Sequence, residues 1–240
     1  MFKLLRKMDI FVGGLSGICE VLVTHPLDVI KTKKQIKQTV QTKDLYKGIF
    51  PRLLGCIPMR IVFWSSQHRI EKLLQRHQIQ SSYNFLFVSM GTSFCQTLVD
   101  NPIENLKIKQ IQNESSPINK SILFKAFPQT FKRNLLYLAT FKFLNENVKP
   151  ANNMELISYT MIASGAASLI SHPYDFVKTL KQVKHSKYKK FKKFKDLFIF
   201  YHFSRSGQWK ILFGGSMFRM SMGIISMTIG NFLYTKLTQS

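Results

Sequence analysis

Three stretches of the chain are almost free of charged side chains. Residues 10–24 contain a single one, Glu20, whereas residues 83–99 and 156–174 contain none. A helix needs about 20 apolar residues to cross a bilayer, so each run is slightly short for a span. Because each run continues into a segment that extends the helix, the pattern predicts three long helices. The alternative is that they are three buried helices of a soluble protein.

The same short motif follows each of these stretches. It has a proline, an acid two residues later and a lysine three residues after the acid. The copies begin at Pro26, Pro102 and Pro173, which lie 102 − 26 = 76 and 173 − 102 = 71 residues apart. Such spacing indicates an internal repeat, and it divides the chain into units of residues 1–77, 78–150 and 151–240.

This motif resembles the signature of the mitochondrial carrier family, Pro-x-[Asp/Glu]-x-x-[Lys/Arg]-x-[Lys/Arg], which occurs once in each of three repeats. The first copy matches closely and the second well, whereas the third has Leu180 in place of the second cation. The resemblance covers nearly the whole chain, although family members are usually longer. It implies an all-α membrane protein with six transmembrane helices, arranged as three pseudo-symmetric two-helix repeats around a central cavity.

The resemblance also implies where the chain resides and where its helices lie. A multi-pass protein of the mitochondrial inner membrane is expected, in a host mitochondrion if the source is a virus. The bias towards Lys, Ile, Asn and Phe is typical of an AT-rich genome, as in parasites and large DNA viruses. The six helices are expected at roughly 8–37, 49–74, 83–112, 124–148, 155–183 and 208–237.

A second family motif, an aromatic residue, a cation and a glycine, precedes each even-numbered helix. Tyr46-Lys47-Gly48 matches it, whereas Phe124-Lys125-Ala126 and Phe213-Gly214-Gly215 are degraded copies. The distance from the motif proline is 46 − 26 = 20 and 124 − 102 = 22 residues in the first two repeats, against 213 − 173 = 40 in the third. In the family this gap holds a short matrix helix and is close to the third value, so the matrix helices of the first two repeats are expected to be trimmed or lost. The resemblance implies lipid binding, as of cardiolipin, at Tyr46, Lys47, Gly48, Gly207 and Gly215.

The charge of the chain predicts an anionic partner. There are 35 Lys and Arg residues against 12 Asp and Glu, which gives a net charge of +23. Eight lysines lie between Lys181 and Lys195, beside an apolar stripe. The stripe consists of Tyr188, Phe191, Phe194 and Phe198. This pattern favours a helix on an anionic membrane; a solvated charged helix is the alternative, and no nucleic-acid partner is expected because no RNA-binding module accompanies it.

Neither an enzyme nor a metal site is predicted. The cysteines are Cys19, Cys56 and Cys95, which are far apart and form no CxxC pair. The six histidines lack metal-ligand spacing, and no nucleophile with a base or Gly-rich phosphate loop is present. No cofactor is therefore expected. The protein is also expected to be a monomer. His25 and His172 each precede a motif proline, where the second repeat has Asn101, and this predicts a shared hydrogen-bonding role.

The charged motif residues are implied by the resemblance to form a matrix gate. Acid and lysine lie on one helix face, and the prolines would kink the helices towards a common axis. The implied pairs between neighbouring repeats are Asp28–Lys107, Glu104–Lys178 and Asp175–Lys31. Family glutamines brace such pairs nine residues after the proline. Gln35 and Gln182 match this position, whereas the second repeat has Ile111.

Substrate contacts of the family lie on the even-numbered helices near mid-membrane. Counting from the aromatic–cation–glycine motif gives Gly55, Arg133, Asn134 and Met222. Further ionisable candidates within the helices are Arg52, Arg219, Arg60 and Glu20. Guanidinium groups favour phosphate or carboxylate, and Tyr137 offers a ring for a base. We therefore expect a nucleotide or deoxynucleotide carrier, with a carboxylate or keto-acid carrier as the alternative, since arginine beside a polar residue is typical of carboxylate carriers.

A third interpretation is a carrier-like membrane scaffold that transports nothing. The family has an opposing charged network at the cytoplasmic ends of the even-numbered helices, and here it is poorly matched. Its counterparts are Gln67-His68-x-x-Glu71, Phe141-Lys142-x-x-Asn145 and Tyr234-Thr235. No repeat keeps an acid followed by a base, so closure of that side is expected to depend on other contacts.

Overall fold

The computed structural model describes residues 2–35, 38–77, 83–114, 117, 119–146, 148, 152–183, 196–207 and 209–238. These residues form helices and turns, without a strand among them. The long helices are α1 (Phe2–Gln35), α2 (Ile49–Arg76), α3 (Asn84–Ile111), α5 (Phe127–Glu146), α6 (Asn153–Gln182) and α8 (Ser216–Thr238). The short elements are α4 (Lys120–Leu123), α7 (Asp196–Arg205) and 3₁₀ turns at Thr42–Asp44 and Trp209–Ile211.

The long helices end within three residues of the predicted bounds, with two exceptions. The first begins at Phe2, six residues before the expected start. The last begins at Ser216 instead of 208. Gly215 precedes it with a φ of +86°, a left-handed conformation that glycine adopts without steric cost, so the chain reverses there before the helix starts.

The six long helices of the described part of the chain contact one another in sequence order, and α8 packs back against α1. They therefore form a closed ring around a central axis. Pro26, Pro102 and Pro173 lie inside α1, α3 and α6. We call the end of the ring that follows these prolines the motif end. Over the described residues, none of the helices is both long enough and apolar enough to qualify as a membrane span.

The links at the motif end differ among the repeats. The first repeat has only the three-residue turn Thr42–Asp44 and the second the four-residue helix α4, whereas the third has the ten-residue α7. The loss of matrix helices expected in repeats 1 and 2 thus agrees with the described residues. Most of the predicted basic amphipathic helix, residues 184–195, lies outside them.

Helix α7 covers an apolar cluster that has no polar members. It packs on the end of α6 and on the turn that precedes α8, and all the core side chains of the cluster are at most 7% exposed. The core members are Phe176, Val177, Leu180, Ile199, Phe203 and Leu212. Burial of side chains of this size contributes roughly 1.5–3 kcal/mol each relative to exposure, so the cluster holds α7 against the ring.

Candidate functional site: a charged cavity inside the helix ring

A cavity of about 270 Å³ lies inside the ring, bounded by α1, α2, α3, α5 and α8. Five of the predicted substrate contacts line it, namely Glu20, Arg52, Arg133, Arg219 and Met222. The other three lie outside its lining. Gly55 packs instead against α3, where a Cβ would come within 2.3 Å of Ile103. Arg60 forms an ion pair with Glu20, and the side-chain oxygen of Asn134 accepts a hydrogen bond from Arg133.

Three ion pairs between neighbouring repeats lie at the motif end of the cavity. Each joins the motif acid of one repeat to the motif lysine of another. They are Asp28–Lys107 (2.7 Å), Asp175–Lys31 (2.9 Å) and Glu104–Lys178. The lysine side chains are at most 8% exposed. The structure thus brings together all six residues that the resemblance paired, and we refer to these contacts as the motif pairs.

An arginine from the second long helix of the same repeat (α2, α5 or α8) forms an ion pair with each motif acid. Arg52 bonds Asp28, Arg133 donates to Glu104 over 2.8 Å, and Arg219 lies 2.6 Å from Asp175. The three arginines therefore both line the cavity and hold the acids of the motif pairs. In this arrangement their guanidinium groups contact the protein's own carboxylates.

Arg133 has the most partners, and one of them, Asp100, has no place in either family motif. The Nη2 atom of Arg133 donates to Asp100 Oδ2 over 2.6 Å and to Asn134 Oδ1 over 2.7 Å. Its Nη1 donates to Glu104 and lies 3.5 Å from Asp175 Oδ1. Asp100 is at the end of a charge-free run, two residues before Pro102. Its position on the side of α3 that faces the cavity is the signal that could have identified it as a functional residue.

Cations outnumber acids around the cavity. Taking the described residues that line it together with their direct ion-pair partners, the acids are Glu20, Asp28, Asp100, Glu104 and Asp175. The cations are Lys31, Arg52, Arg60, Lys107, Arg133, Lys178 and Arg219. Seven positive charges against five negative ones leave an excess of two. An uncompensated excess of buried positive charge is costly, so the cavity suits an anion.

Comparison of the sequence with known proteins points to one protein family. The model of the family described as "Mitochondrial carrier protein" matches residues 8–44, which contain the first motif. The 2-oxodicarboxylate carrier of Bos taurus is 26% identical over 219 residues, or 71% of this chain and 73% of that protein. Both similarities support membership of the mitochondrial carrier family. The members of the family are solute transporters of the mitochondrial inner membrane, and this carrier is assigned to that membrane with them.

Other relatives of the carrier are aligned over shorter regions. The mitochondrial 2-oxodicarboxylate carrier of Mus musculus is 30% identical over 139 residues, which are 50% of this chain and 44% of the mouse protein. The succinate/fumarate mitochondrial transporter of Saccharomyces cerevisiae is 29% identical over 127 residues, covering 42% and 39%. In these two cases the carrier matches less than half the length of its relative.

One of the two expected glutamine braces is present. The amide of Gln35 donates to Asp175 Oδ2 over 3.1 Å, beside the Lys31 pair. Gln182 is buried, and neither its amide nitrogen nor its side-chain oxygen has a hydrogen-bond partner within the described residues, so its role as a brace stays a prediction.

The residues before the three prolines share the predicted local role. His25 Nε2 donates to the carbonyl of Lys47 over 3.0 Å, and His172 Nε2 to that of Gly214 over 3.1 Å. In the second repeat Asn101 donates to the Leu123 carbonyl over 2.9 Å. Each side chain ties the first long helix of its repeat (α1, α3 or α6) to the turn before the second long helix, because that turn has carbonyl groups without helical partners.

Four of the five residues predicted to bind lipid, all except Gly207, lie against other parts of the carrier. Tyr46 stacks on His25 with ring centroids 6.3 Å apart, and Lys47 lies 2.8 Å from Asp44. Gly48 and Gly207 have φ values of +80° and +66°. A Cβ on Gly48 would lie 2.8 Å from the carbonyl of Lys107, and one on Gly215 would lie 3.0 Å from the Lys31 Cγ. The two glycines thus let the backbone approach a motif lysine of a neighbouring repeat.

The opposite end of the ring holds an ion pair that the sequence pattern did not predict. Lys142 Nζ lies 2.7 Å from Glu71 Oε1, and Gln67 donates to the same oxygen over 3.1 Å. It differs from the ordered acid–base pairs of the family and is therefore one of the other contacts on which closure of this side is expected to depend. The pair escaped notice because its polarity is reversed, with the lysine at the acid position of α5 and the acid at the cation position of α2.

Two acids in the links anchor the motif end, and their pKa values reflect their partners. Hydrogen bonds from Lys33 and Lys47 lower the pKa of Asp44 to about 2. Burial of Asp196 opposes its ionisation, but hydrogen bonds from Lys181, Lys132 and Gln129 outweigh it and lower the pKa. Both carboxylates are thus ionised at neutral pH, and each binds the helix end that precedes its link.

Proposed function

We propose that this carrier transports small dicarboxylates, with 2-oxodicarboxylates as the leading class, by alternating access across the mitochondrial inner membrane. The six long helices are its transmembrane segments, and the motif end faces the matrix. The observation that carries the proposal is the excess of two positive charges around the cavity. A dianion neutralises this excess, and arginine can bind each carboxylate with two parallel hydrogen bonds.

The relatives support the same substrate class. The proteins from Bos taurus and Mus musculus are named as 2-oxodicarboxylate carriers, and the yeast protein as a succinate/fumarate transporter. All of these solutes carry two carboxylates. The nucleotide that the sequence pattern favoured has weaker support. Tyr137, the proposed platform for a base, stacks on Phe141 with an interplanar angle of 4° and bonds Ser164 through its hydroxyl.

The arginines offer a route from substrate binding to opening of the matrix gate. Arg52, Arg133 and Arg219 line the cavity and also hold the acids of the motif pairs. A substrate carboxylate competes for their N–H groups, so binding weakens the hold on Asp28, Glu104 and Asp175. Charged groups cost about 2.5–3.5 kcal/mol each within a span on insertion scales unless they are paired or hydrated. A substrate that supplies part of this free energy shifts the carrier towards the state open to the matrix.

Uptake into liposomes tests the proposal. Purified carrier is reconstituted into liposomes that are loaded with 2-oxoglutarate. The initial rates of uptake of labelled 2-oxoglutarate, pyruvate and ATP are then measured. We expect saturable uptake of the dicarboxylate alone, and its loss in Arg219→Gln. The matched control is Arg69→Gln on the exposed side of α2, which should keep the wild-type rate. Uptake of ATP without uptake of dicarboxylates would refute the proposal.

A second candidate function is the scaffold that transports nothing. It is favoured by one observation, since the Glu71–Lys142 pair exists together with the three motif pairs, so charged contacts bridge both ends of the ring. A scaffold would neither take up nor bind any of the solutes. A thermal-shift measurement with 2-oxoglutarate separates the two, because a transported solute raises the unfolding temperature by binding to the folded carrier.

A further inference from the structure

We propose that Asp100 determines the charge selectivity of the cavity, so that this acid makes the carrier prefer dicarboxylates to tricarboxylates. The inference rests on the proposed function, since it concerns the same site. Asp100 is 7% exposed, lines the cavity and contacts Arg133 at 2.6 Å. Its Oδ2 also lies 3.4 Å from the Asn134 amide. The acid is therefore fixed beside the group best placed to receive a substrate carboxylate.

The other two repeats show that the fold does not require an acid at this place. The position two residues before the motif proline is Thr24 in the first repeat and Ser171 in the third. Their hydroxyls bond carbonyls of their own helices, those of Glu20 at 2.7 Å and Ala167 at 2.8 Å. A neutral polar residue thus satisfies the position in two of three equivalent helices, and the charge in the second repeat is an addition.

Asp100 also takes no part in the motif pairs. Within the described residues its ion pair is with Arg133, whereas Asp28, Glu104 and Asp175 each also pair with a lysine. Removing its charge therefore leaves the three lysine contacts in place. The excess of cations over acids around the cavity would rise from two to three. A cavity with three uncompensated cations matches a trianion, because opposite charges a few ångströms apart attract strongly where water is scarce.

The experiment compares Asp100→Asn with the wild-type carrier in liposomes. Asparagine has nearly the same shape and its carbonyl oxygen can still accept from Arg133, so the change removes charge and little else. Initial uptake of labelled 2-oxoglutarate and labelled citrate is measured in parallel. We expect the citrate to 2-oxoglutarate ratio to rise at least tenfold. The control Glu155→Gln removes an acid from α6 outside the cavity lining and should change the ratio less than twofold.

Two further variants move the charge instead of removing it. Thr24→Asp places an acid at the equivalent position of α1, lowers the excess to one, and should raise the pyruvate to 2-oxoglutarate ratio at least tenfold. Asp100→Asn combined with Thr24→Asp restores an excess of two, and should return both ratios to within threefold of wild type. Thr24→Asp also tests the inference if Asp100→Asn fails to fold.

The possible results separate this inference from the function on which it rests. Wild-type carrier that takes up no dicarboxylate would refute the proposed function. Wild-type dicarboxylate uptake with an unchanged citrate ratio in a folded Asp100→Asn variant would refute the role of Asp100 alone. An unchanged pyruvate ratio in Thr24→Asp would likewise show that the count of charges does not set the selectivity.

Discussion

The first and third repeats fix the same helix end by different physical means. In the first, Lys33 at the second cation position of the motif bonds Asp44 in the short link. In the third, the equivalent position holds Leu180, which is 2% exposed beneath α7. The ionic contact is not lost there but displaced by one residue, since Lys181 lies 2.8 Å from Asp196 at the start of α7.

This difference explains the departure of the third motif from the family pattern. Where the link is short, the second cation lies near a carboxylate and can pair with it. Where a helix covers the position, a lysine would be buried under apolar side chains at considerable cost. Leu180 is therefore an adaptation to α7, and the missing cation does not mark a failing repeat.

The largest effect is expected from Phe203→Ala, which opens a hole in the apolar cluster under α7. Phe203 is 1% exposed, and truncating a buried phenylalanine costs about 3–5 kcal/mol. For a chain of this size we expect the unfolding temperature in detergent to fall by about 10 °C. Phe198→Ala on the same helix, where the ring is 45% exposed, is the control. Equal losses in the two variants would contradict a cluster that anchors α7.

Leu180→Lys tests whether the family consensus would help the third repeat. It restores the second cation, but Asp196 already binds Lys181, Lys132 and Gln129. We expect a loss of about 2–4 kcal/mol, because apolar burial is lost and an ammonium enters the cluster. Thermal unfolding beside Leu180→Met, which should cost less than about 1.5 kcal/mol, gives the comparison. A lysine variant as stable as wild type would remove our explanation of the divergent motif.

Acid should weaken the ionic anchor of the first repeat and spare the apolar anchor of the third. The pKa of Asp44 is lowered to about 2, against about 3.9 in an unfolded chain. Its contribution is therefore complete above pH 4 and is lost as the pH falls towards 2. The difference in unfolding temperature between wild type and Asp44→Asn should vanish over this range, whereas that for Phe203→Ala should not. A difference for Asp44→Asn that is independent of pH would show that its charge is irrelevant.

The smallest effect is expected at the turn before α5. Ala126 has a φ of +59°, at the position where the other repeats have Gly48 and Gly215. A left-handed conformation costs alanine about 1–2 kcal/mol, part of which is offset because glycine is freer in the unfolded chain. Ala126→Gly should therefore stabilise the carrier by about 0.5 kcal/mol. Ala139→Gly in the middle of α5 should destabilise it by about 1 kcal/mol, and the same sign in both would contradict this account.

Much of this architecture could be predicted because its signals are local or repeated. The apolar runs and motif prolines give the helix ends to within a few residues, and the spacing to the next motif reveals the shortened links. The start of α8 at Ser216 directly follows the degraded motif copy Phe213-Gly214-Gly215, so the expected start at 208 disagreed with a signal that the sequence contains.

The site was harder to predict than the fold, since its contacts join side chains on different helices. The motif acids and lysines were identified, although their role as a gate stays a prediction. Arg52, Arg133 and Arg219 were recognised as cavity residues, but not as partners of those acids. Asp100 carries no motif, and Glu71–Lys142 has its charges in the unexpected order. Pairing of this kind is decided by which helices are neighbours.

The turns at two glycines lie in close contact with a motif lysine of the neighbouring repeat. The turn at Gly48 in the first repeat presses on Lys107 of the second, and the turn at Gly215 in the third presses on Lys31 of the first. No Cβ separates these surfaces, so we expect a shift of either motif lysine to displace the turn that it contacts. Movement in one repeat would then reach its neighbour at two of the three seams, those between repeats 1 and 2 and between repeats 3 and 1.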